Sequence, residues 1–422
     1  MLIKRDLYHE LINHLNSKEI SVIVGPRQVG KTTLMLIIEK YLKQKGKKSL
    51  FLNLDRHTDS VYFTSHDRLL NKLKLELGND NGFVFIDEIQ RITNAGLFLK
   101  GLYDYYLPYK FIVSGSGSLE LKEKIHESLI GRKRVFQLNP VSFKEFVNFK
   151  TEYKYSNNLE LFFETEKEKT EELLIEYLNF GGYPKVITSE TLEEKRIIIN
   201  EIFTSYIEKD ISYLLKVERI EAFVNLIKVL SALSGKLINF TKICSDLNIS
   251  IQTLKNYLWY AEKTFIIQRI SPFFRNKKKE IVKSSCYYFY DIGLKNFAIN
   301  LFGNLYDYGF VFQNLIFNIL KEKLKHTSFS INFWRTKDKA EVDFVVNLGD
   351  RIIPFEAKYQ NFKKTKIGKS LYNFIKKYSP QTAYIINLNY ENEIKVSNTL
   401  VKFMPYWKLL IDKQSIITID FR

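Results

Sequence analysis

A glycine-rich segment near the start of the chain has the residue types that bind phosphate groups. Residues 25–32 read GPRQVGKT and match the pattern G-x-x-x-x-G-K-[ST]. In such a loop, backbone N–H groups turn inward around the phosphates, the lysine reaches the β and γ phosphates, and the threonine hydroxyl binds Mg²⁺. The candidate residues for binding ATP are Gly25, Pro26, Arg27, Gln28, Val29, Gly30, Lys31, Thr32 and Thr33.

Two carboxylates and a serine end later apolar runs. Asp87 and Glu88 follow the run 83–86, and Ser114 follows the run 110–113. A carboxylate at the end of a neighbouring strand reaches the Mg²⁺ shell, so Asp87 joins Thr32 as a candidate metal residue. Glu88 is then placed to polarise the attacking water as a general base. Ser114 is a candidate γ-phosphate sensor, although an ordinary strand-ending turn has the same pattern.

These residues need a sheet whose strands all end at one edge. Between residues 20 and 140, short apolar runs alternate with helix-like segments. This alternation is typical of buried parallel strands covered by helices, and it predicts a three-layer α/β domain. The predicted strands are 20–24, 49–54, 83–86, 111–113 and 135–138.

A second group of charged residues lies near the end of the chain. Asp343 is in the apolar run 341–346, and Glu356 and Lys358 end the next run. Two carboxylates hold Mg²⁺ against a scissile phosphate, and a lysine orients water or stabilises developing charge. Strand alternation puts Glu356 and Lys358 on one face. The alternative is an exposed strand face with paired charges.

The middle of the chain is helical. The charged segment 151–172 is predicted as a linker or surface helix, and 192–215 has helical spacing. Three short helical patterns then precede a strand-like run and Pro272, which is the layout of a winged helix. Those patterns are 223–233, 241–247 and 250–262, and the strand is 265–270.

A small mixed α/β domain is predicted after residue 285. Its predicted strands are 287–290, one near Phe333, 341–346, 352–358 and 383–387, with helices at 310–323 and 370–377. The predicted domains are therefore 1–190 for the phosphate-loop domain with its lid, 191–275 for the helical and winged-helix domain, and 276–422 for the C-terminal domain.

The chain is strongly basic. Its 64 Lys and Arg against 47 Asp and Glu give a formal net charge of +17. Such a charge fits a surface that binds nucleic acid, and the stretch Arg275, Lys277, Lys278, Lys279 and Lys283 is a candidate for tracking a DNA backbone. The alternative for the net charge is a compositional bias from an AT-rich genome. The alternative for the basic stretch is a solvated connector.

Several classes of protein are disfavoured. With 45% hydrophobic residues in 422, the chain has enough apolar side chains for several cores, which excludes wholesale disorder. No run is long and apolar enough for a membrane helix, and the start lacks a signal-peptide core, so we expect a cytoplasmic protein. Two cysteines, Cys244 and Cys286, form no disulfide framework, and the six histidines lack ligand spacing, which disfavours a zinc enzyme.

Five segments carry a family resemblance: GPRQVGKTTLM, FVFIDEIQRI, IVSGSGS, IGRKRVFQLNPVSFKEF and GGYPKVI. They resemble the core of a large prokaryotic family of AAA+-superfamily ATPases, in which a winged helix and a C-terminal domain similar to PD-(D/E)XK nucleases follow the core. The resemblance implies a role for Arg132 at the family's Gly-Arg position, as the arginine that meets the γ phosphate, often from a neighbouring subunit. The alternative is that Arg132, Lys133 and Arg134 form a solvated basic face. Arg27 and Arg91 are weaker candidates for the arginine. An ATP-dependent homo-oligomer follows from such an arginine.

One position departs from the resembled family. Its members commonly carry Glu-Asn on the first helix of the C-terminal domain, where this chain has Gln313-Asn314. Because Gln313 has no charge, Mg²⁺ would bind more weakly there, and Mn²⁺ is the alternative metal. Three hypotheses follow: an ATPase that couples nucleotide state to DNA engagement, a nucleotide-switched regulator whose C-terminal domain only docks, and a STAND-like signalling ATPase directed to RNA or protein.

Overall fold

The computed structural model describes residues 1–116, 129–208, 211, 219–274 and 284–411. Two compact units make up the chain, and each is assembled from separate stretches of sequence. The first unit comprises Met1–Val141, Tyr183–Ile220 and Tyr257–Ile266. The second comprises Ser142–Gly182, Glu221–Asn256 and Ile267–Arg422.

The helices of the described residues are numbered in chain order. They are α1 (Leu7–Asn13), α2 (Lys31–Gln44), α3 (His57–Ser60), α4 (His66–Leu77), α5 (Ala95–Asp104), α6 (Phe143–Lys150), α7 (Leu159–Thr165), α8 (Lys167–Phe180), α9 (Pro184–Thr188), α10 (Leu192–Ser205), α11 (Ile220–Ala232), α12 (Phe240–Leu247), α13 (Ile251–Lys263), α14 (Ile292–Ala298), α15 (Gly309–Lys323), α16 (Lys369–Tyr378) and α17 (Tyr406–Ile411). No helix in these stretches is long and apolar enough to span a membrane.

The first unit is built on a five-stranded parallel sheet in the order β2-β3-β4-β1-β5. Its strands are β1 (Ile20–Gly25), β2 (Ser49–Asn53), β3 (Gly82–Asp87), β4 (Tyr109–Ser116) and β5 (Lys133–Gln137). Every residue of β1 is buried, as expected for a parallel strand covered on both faces. The predicted parallel α/β domain is confirmed. Because all five strands run the same way, the residues that end β1, β3 and β4 share one edge.

The second unit contains an eight-stranded mixed sheet in the order β12-β13-β11-β10-β9-β8-β6-β7. Its strands are β6 (Ile267–Pro272), β7 (Cys286–Phe289), β8 (Ser330–Arg335), β9 (Glu341–Asn347), β10 (Ile352–Ala357), β11 (Thr382–Asn387), β12 (Asn392–Val396) and β13 (Thr399–Pro405). β8, β9 and β10 form an antiparallel meander, and β11 runs parallel to β10. A separate mixed α/β domain at the C-terminal end of the chain is thus confirmed.

An apolar core lies between this sheet and α16. Leu371, Phe374 and Ile375 of α16 pack against Trp334 and Val345 from the strands. These helix positions follow the i, i+3, i+4 spacing of an amphipathic helix, which leaves the lysines of α16 on its solvent side. The core therefore fixes α16 and the connection that leads into it.

Three glycines lie where the end of α8 meets the start of α14. The Asp291 carboxylate, buried at the N-cap of α14, accepts a hydrogen bond from Gly182 N at 2.6 Å. A Cβ on Gly181 would lie 2.4 Å from Gly293 N, and one on Gly293 would lie 2.1 Å from Phe180 O. Burial raises the pKa of Asp291 to about 6 against the opposing effect of its backbone donors. Only glycine fits where the two backbones meet.

Several element boundaries differ from the sequence-based expectations. The segment 151–172, predicted as a linker or surface helix, contains α7 and the start of α8. It buries Phe162 and Phe163, which its high charge density did not indicate. The predicted strand 265–270 is shifted to Ile267–Pro272, where it pairs with β7 and also with β8 of the C-terminal sheet. Within the predicted helix 192–215, α10 covers Leu192–Ser205. The bounds of the three proposed domains stay predictions.

Candidate nucleotide site and C-terminal carboxylate cluster

The phosphate-loop residues form a tight connection from β1 to α2. Gly25 ends β1, and a Cβ there would lie 2.1 Å from Leu138 O, so no larger residue fits. Gly30, the N-cap of α2, has φ 94°, and Gln28 has φ 60°, which are left-handed backbone conformations. Lys31 is the first residue of α2. The loop therefore opens directly onto a helix N-terminus, where backbone N–H groups favour an anion.

The Lys31 ammonium lies inside this loop. Its Nζ atom donates to Gly25 O at 2.9 Å and to Pro26 O at 2.7 Å, and the residue is 6% exposed. The carbonyl groups of the loop therefore fix the position of the Lys31 ammonium. Thr33, the third residue of α2, is exposed, whereas Val29 in the loop is buried.

Asp87 connects the loop to two other predicted residues. Thr32 donates its hydroxyl hydrogen to Asp87 Oδ2 at 2.7 Å, and Ser114 donates to Asp87 Oδ1. Asp87 and Ser114 are 1% and 0% exposed. The structure therefore brings the predicted Mg²⁺ hydroxyl, the predicted metal carboxylate and the predicted sensor into one hydrogen-bonded row, at the sheet edge where the loop lies.

Glu88 leaves the strand in a strained conformation. Its φ of 58° is left-handed, which is unusual for a residue other than glycine, and its backbone N donates to Ser114 Oγ at 3.3 Å. The side-chain amide of Gln90 donates to Glu88 Oε2. Sequence reasoning missed Gln90, whose only local signal is its place two residues after the predicted base.

The three candidate arginines lie in different places. Arg132 precedes β5, and its carbonyl accepts from Ile20 N at 2.9 Å, at the start of β1. Since β1 runs about 16 Å from Ile20 to Gly25 at ~3.3 Å per residue, Arg132 is at the sheet edge opposite the phosphate loop. Its Nε atom pairs with Asp104 at 2.9 Å. The structure does not bring Arg132 and Lys31 together within one chain.

The other two arginines are at the loop edge of the sheet. Arg27 is part of the phosphate loop and is partly exposed. Arg91 follows β3, and its Nε atom donates to Asp55 Oδ1 at 2.7 Å, just beyond the end of β2. Either guanidinium is therefore nearer to the phosphate loop of its own chain than Arg132 is.

Arg5 supports the phosphate loop from outside. Its guanidinium donates to Val29 O at 2.9 Å and to Asn139 O at 2.6 Å. The same side chain therefore joins the loop to the segment after β5. Sequence analysis missed Arg5 because its partners lie 24 and 134 residues away.

The second predicted cluster is assembled at the centre of the C-terminal sheet. Asp343 of β9 accepts a hydrogen bond from Ala357 N at 2.8 Å, and Lys358 Nζ lies 3.4 Å from Glu356 Oε2. Gln313 of α15, which is 6% exposed, donates its amide to Asp343, while its Oε1 atom is buried without a hydrogen-bond partner. The structure thus brings Asp343, Glu356, Lys358 and Gln313 together.

The cluster perturbs the titration of its own groups. Burial raises the pKa of Glu356 to about 6, and the Asp343 charge adds to the rise while Lys358 opposes it. The pKa of Asp343 is also raised by burial, against the effects of Lys358, Ala357 N and Gln313. Burial lowers the pKa of Lys358, but the two carboxylates outweigh it and the net direction is upward. Glu356, which is buried, and Asp343, which is half-buried, therefore interact electrostatically with each other and with Lys358.

The cluster is short of acidic ligands. No group of three or more His, Cys, Asp or Glu side chains suited to a metal ion occurs in the described residues. Glu341, on the same strand as Asp343, pairs with Arg335 at 3.2 Å. Gln313, which donates to Asp343, adds an uncharged amide to the cluster and no third carboxylate.

The remaining predictions concern the basic stretch, the two cysteines and the histidines. The basic stretch from Arg275 to Lys283 lies outside the described residues, and so does His126. Cys244 and Cys286 are buried free thiols. His14 is buried and its Nδ1 lies 2.8 Å from Ser21 Oγ, at the edge of the sheet away from the phosphate loop.

Family models match three parts of the chain. Residues 17–147 match a model described as an AAA domain. The N-terminal α/β domain is an AAA domain. Residues 171–305 and 308–409 match two domains of unknown function, DUF8612 and DUF4143.

Relatives similar over almost the whole chain include two uncharacterised proteins. One, from Haemophilus influenzae, is 23% identical over 418 residues, which is 97% of this chain and 99% of the relative. Another, from Methanocaldococcus jannaschii, is 27% identical and covers 96% of this chain and 90% of the relative.

Solved structures with partial similarity include an Orc1 protein and a DnaA protein. Aeropyrum pernix Orc1 in complex with DNA is 11% identical, with 71% of this chain and 93% of Orc1 covered and a TM-score of 0.29. AMPPCP-bound DnaA from Aquifex aeolicus is 14% identical, with 61% and 77% covered and a TM-score of 0.29. The AAA assignment rests on the family model and the parallel sheet.

Proposed function

We propose that this protein binds and hydrolyses Mg-ATP in its AAA domain and uses the nucleotide state to control how its other domains engage DNA. The observation that carries the ATPase part is Asp87, which accepts hydrogen bonds from both Thr32 and Ser114. In P-loop ATPases, a loop hydroxyl and a carboxylate at the end of a strand together hold Mg²⁺, and the contact of Thr32 with Asp87 matches that pair. Ser114 places a second hydroxyl on the same carboxylate. Thr32 and Asp87 would hold the metal, which would neutralise phosphate charge.

The chain's own residues supply the remaining steps. The backbone N–H groups of the phosphate loop and the Lys31 ammonium bind the phosphates. Glu88 takes a proton from the attacking water, and Gln90 orients its carboxylate. Arg132 acts on the nucleotide of a second copy of the chain, since it is at the far edge of its own sheet.

The DNA part of the proposal has separate support. Helices α11, α12 and α13 followed by the antiparallel pair β6 and β7 have the order of a winged helix. The order α15, β8, β9, β10, α16, β11 and the cluster of Asp343, Glu356 and Lys358 fit a PD-(D/E)XK nuclease-like domain. The net charge of +17 suits a polyanionic partner.

The experiment measures ATP turnover and DNA binding of the full chain together. We expect Mg²⁺-dependent hydrolysis that is lost in Lys31→Ala, and DNA affinity that differs between the ATP-bound and nucleotide-free protein. Hydrolysis with DNA binding indifferent to nucleotide would reject the coupling. No hydrolysis under any condition would reject the ATPase assignment.

The second candidate is a nucleotide-switched regulator whose C-terminal domain docks a partner without cutting. Gln313 favours it, because an amide in place of a carboxylate weakens a hard-cation site. Intact DNA after long incubation with Mg²⁺ or Mn²⁺, from protein that still hydrolyses ATP, would select this candidate.

A further inference from the structure

The connection from β10 to α16 and the first turn of α16 carry a concentrated positive charge. Residues 357–390 contain seven lysines and no Asp or Glu, whereas the whole chain has 47 acids in 422 residues, or about four per 34. Four of these lysines, which we call the lysine loop, are exposed: Lys363, Lys364, Lys366 and Lys369.

The segment that carries the lysine loop contains no acid of its own. Among the described residues, none of its four ammonium groups has an ion-pair partner, although other surface lysines such as Lys402 and Lys408 do. Lys369 also begins α16, where the helix dipole adds to the positive charge instead of offsetting it. Unrelieved charge of one sign at one place raises the local concentration of an anionic partner.

Apolar anchors hold the lysine loop in place. Phe362, just before it, packs edge-on against Phe403 with ring centroids 5.6 Å apart, and Ile367 packs on the core beneath α16. Gln360 O accepts from Leu388 N at 3.3 Å. Because the apolar side chains of the connection point into the core, the lysines between them are presented to solvent on a fixed support.

The lysine loop borders the carboxylate cluster. A Cβ on Gly368 would lie 3.7 Å from Glu356 Oε2, and Lys369 is the next residue. A phosphate backbone that follows the lysines therefore passes beside Glu356 and Lys358. A membrane surface fits less well, since Phe362 and Ile367 are turned inward and leave no apolar side chain of the connection to enter lipid.

We propose that the lysine loop binds the phosphate backbone of duplex DNA and guides it past the cluster of Asp343, Glu356 and Lys358. The inference deepens the proposed function, on which it rests, by assigning a specific DNA-binding surface to the C-terminal domain. The lysines contact phosphates and not bases, so binding is independent of sequence and depends steeply on salt.

The test is fluorescence anisotropy of the full chain with a labelled 20-base-pair duplex at several KCl concentrations. The variant carries Lys363→Gln, Lys364→Gln, Lys366→Gln and Lys369→Gln. Its matched control carries four exposed lysines of the first unit changed in the same way, Lys40→Gln, Lys43→Gln, Lys45→Gln and Lys47→Gln. Thermal unfolding and ATP binding check that both variants fold.

At about 0.9 per neutralised phosphate, four lost contacts lower the slope of log affinity against log salt by roughly 3 to 4. We expect that change in the variant, with at least about a tenfold loss of affinity at 100 mM KCl, and little change in the control. Each single substitution lowers the slope by about one, which keeps the test valid if the fourfold variant unfolds.

The outcomes separate this inference from the proposed function. Wild-type affinity and slope in the fourfold variant would overturn the lysine loop while leaving DNA binding to another surface. Equal losses in variant and control would also overturn it, as a general charge effect. If the wild-type chain binds no duplex but binds phosphatidylserine vesicles or an acidic protein, the lysine loop and the proposed DNA role both fall, and ATP hydrolysis stands.

Discussion

The side-chain amide of Gln90 donates a hydrogen bond to Oε2 of Glu88, two residues before it in the chain. This contact leaves Glu88 Oε1 to accept a proton from water, and the left-handed backbone at Glu88 turns the carboxylate out of the strand direction. We therefore expect Gln90→Ala to lower kcat for ATP about tenfold with little change in KM, as for loss of a group that orients a general base. Gln44→Ala, at the end of α2, is the control. An unchanged kcat would show that Gln90 only packs.

Glu88→Gln should keep ATP bound while slowing hydrolysis at least about a hundredfold, since the amide keeps the shape and loses the base. Calorimetry measures the binding, and a steady-state phosphate assay measures the turnover. Equal turnover in the two proteins would remove Glu88 from the mechanism.

Lys31→Ala should abolish measurable ATP binding. The phosphates lose a buried positive charge, and the carbonyls of Gly25 and Pro26 lose their donor, so the loop itself is weakened. Arg5→Ala serves as a comparison: it loosens the loop through Val29 without touching the charge at the phosphates. ATP affinity of the wild-type value in Lys31→Ala would contradict the phosphate-loop assignment.

Arg132→Ala should lower turnover but not ATP binding, and the wild-type chain should self-associate with ATP. Because Arg132 and the phosphate loop lie at opposite edges of one sheet, mixing Arg132→Ala with Lys31→Ala should restore activity. In the mixed assembly, an intact loop of one chain meets an intact Arg132 of the other. Light scattering that shows a fully active monomer would leave Arg27 or Arg91 as the arginine.

The C-terminal cluster should nick DNA weakly, with Mn²⁺ preferred over Mg²⁺. Gln313→Glu should raise the rate by supplying a third carboxylate beside Asp343, while Asp343→Ala or Glu356→Ala should eliminate it. A supercoiled-plasmid assay reads all three. No cleavage with either metal and no gain from Gln313→Glu would identify a docking module, and brisk Mg²⁺-dependent cleavage by the wild type would mean that another acid, such as Glu341, completes the site.

His14 should make the first unit lose stability at mildly acidic pH. Burial, together with Lys110 and Arg134, lowers the pKa of His14 to about 4 from the ordinary 6.5. Between these values the unfolded chain takes up a proton that the folded chain refuses, so stability falls as pH decreases, by at most about 1.4 kcal/mol per pH unit. His14→Gln should flatten the dependence of Tm on pH between 6.5 and 4. An unaltered dependence would place the acid sensitivity elsewhere.

Local patterns predicted the residues whose chemistry depends on their neighbours in sequence. The glycines around Lys31, the carboxylates at the end of β3 and the serine near the end of β4 lie at the carboxyl ends of buried strands. Parallel strands must bring such ends to one edge. The same alternation predicted β9, β10 and the shared face of Glu356 and Lys358.

Contacts between residues far apart in the chain could not be predicted, because they leave no local pattern in the sequence. Arg5 reaches Asn139 across 134 residues. The hairpin of β12 and β13 was missed because β12 is mostly exposed and has few apolar residues. Helix α14 was missed because it has only seven residues and nearly all of them are buried, so it lacks the alternation of buried and exposed positions that predicts a helix. The role of Gln313 beside Asp343 was inferred from the family pattern, since nothing in the helix sequence shows which turn faces β9.

The contact of Gly181 and Gly182 with Asp291 has a consequence for biosynthesis. Gly182 leaves the ribosome 109 residues before Asp291, a delay of roughly 5 to 20 s at about 5 to 20 residues per second. During that interval α6, α7 and α8 have been made, but the partner segment that accepts the end of α8 has not. Nascent chains arrested before residue 291 should therefore recruit chaperones through the apolar faces of these helices, and release them once the acidic cap emerges.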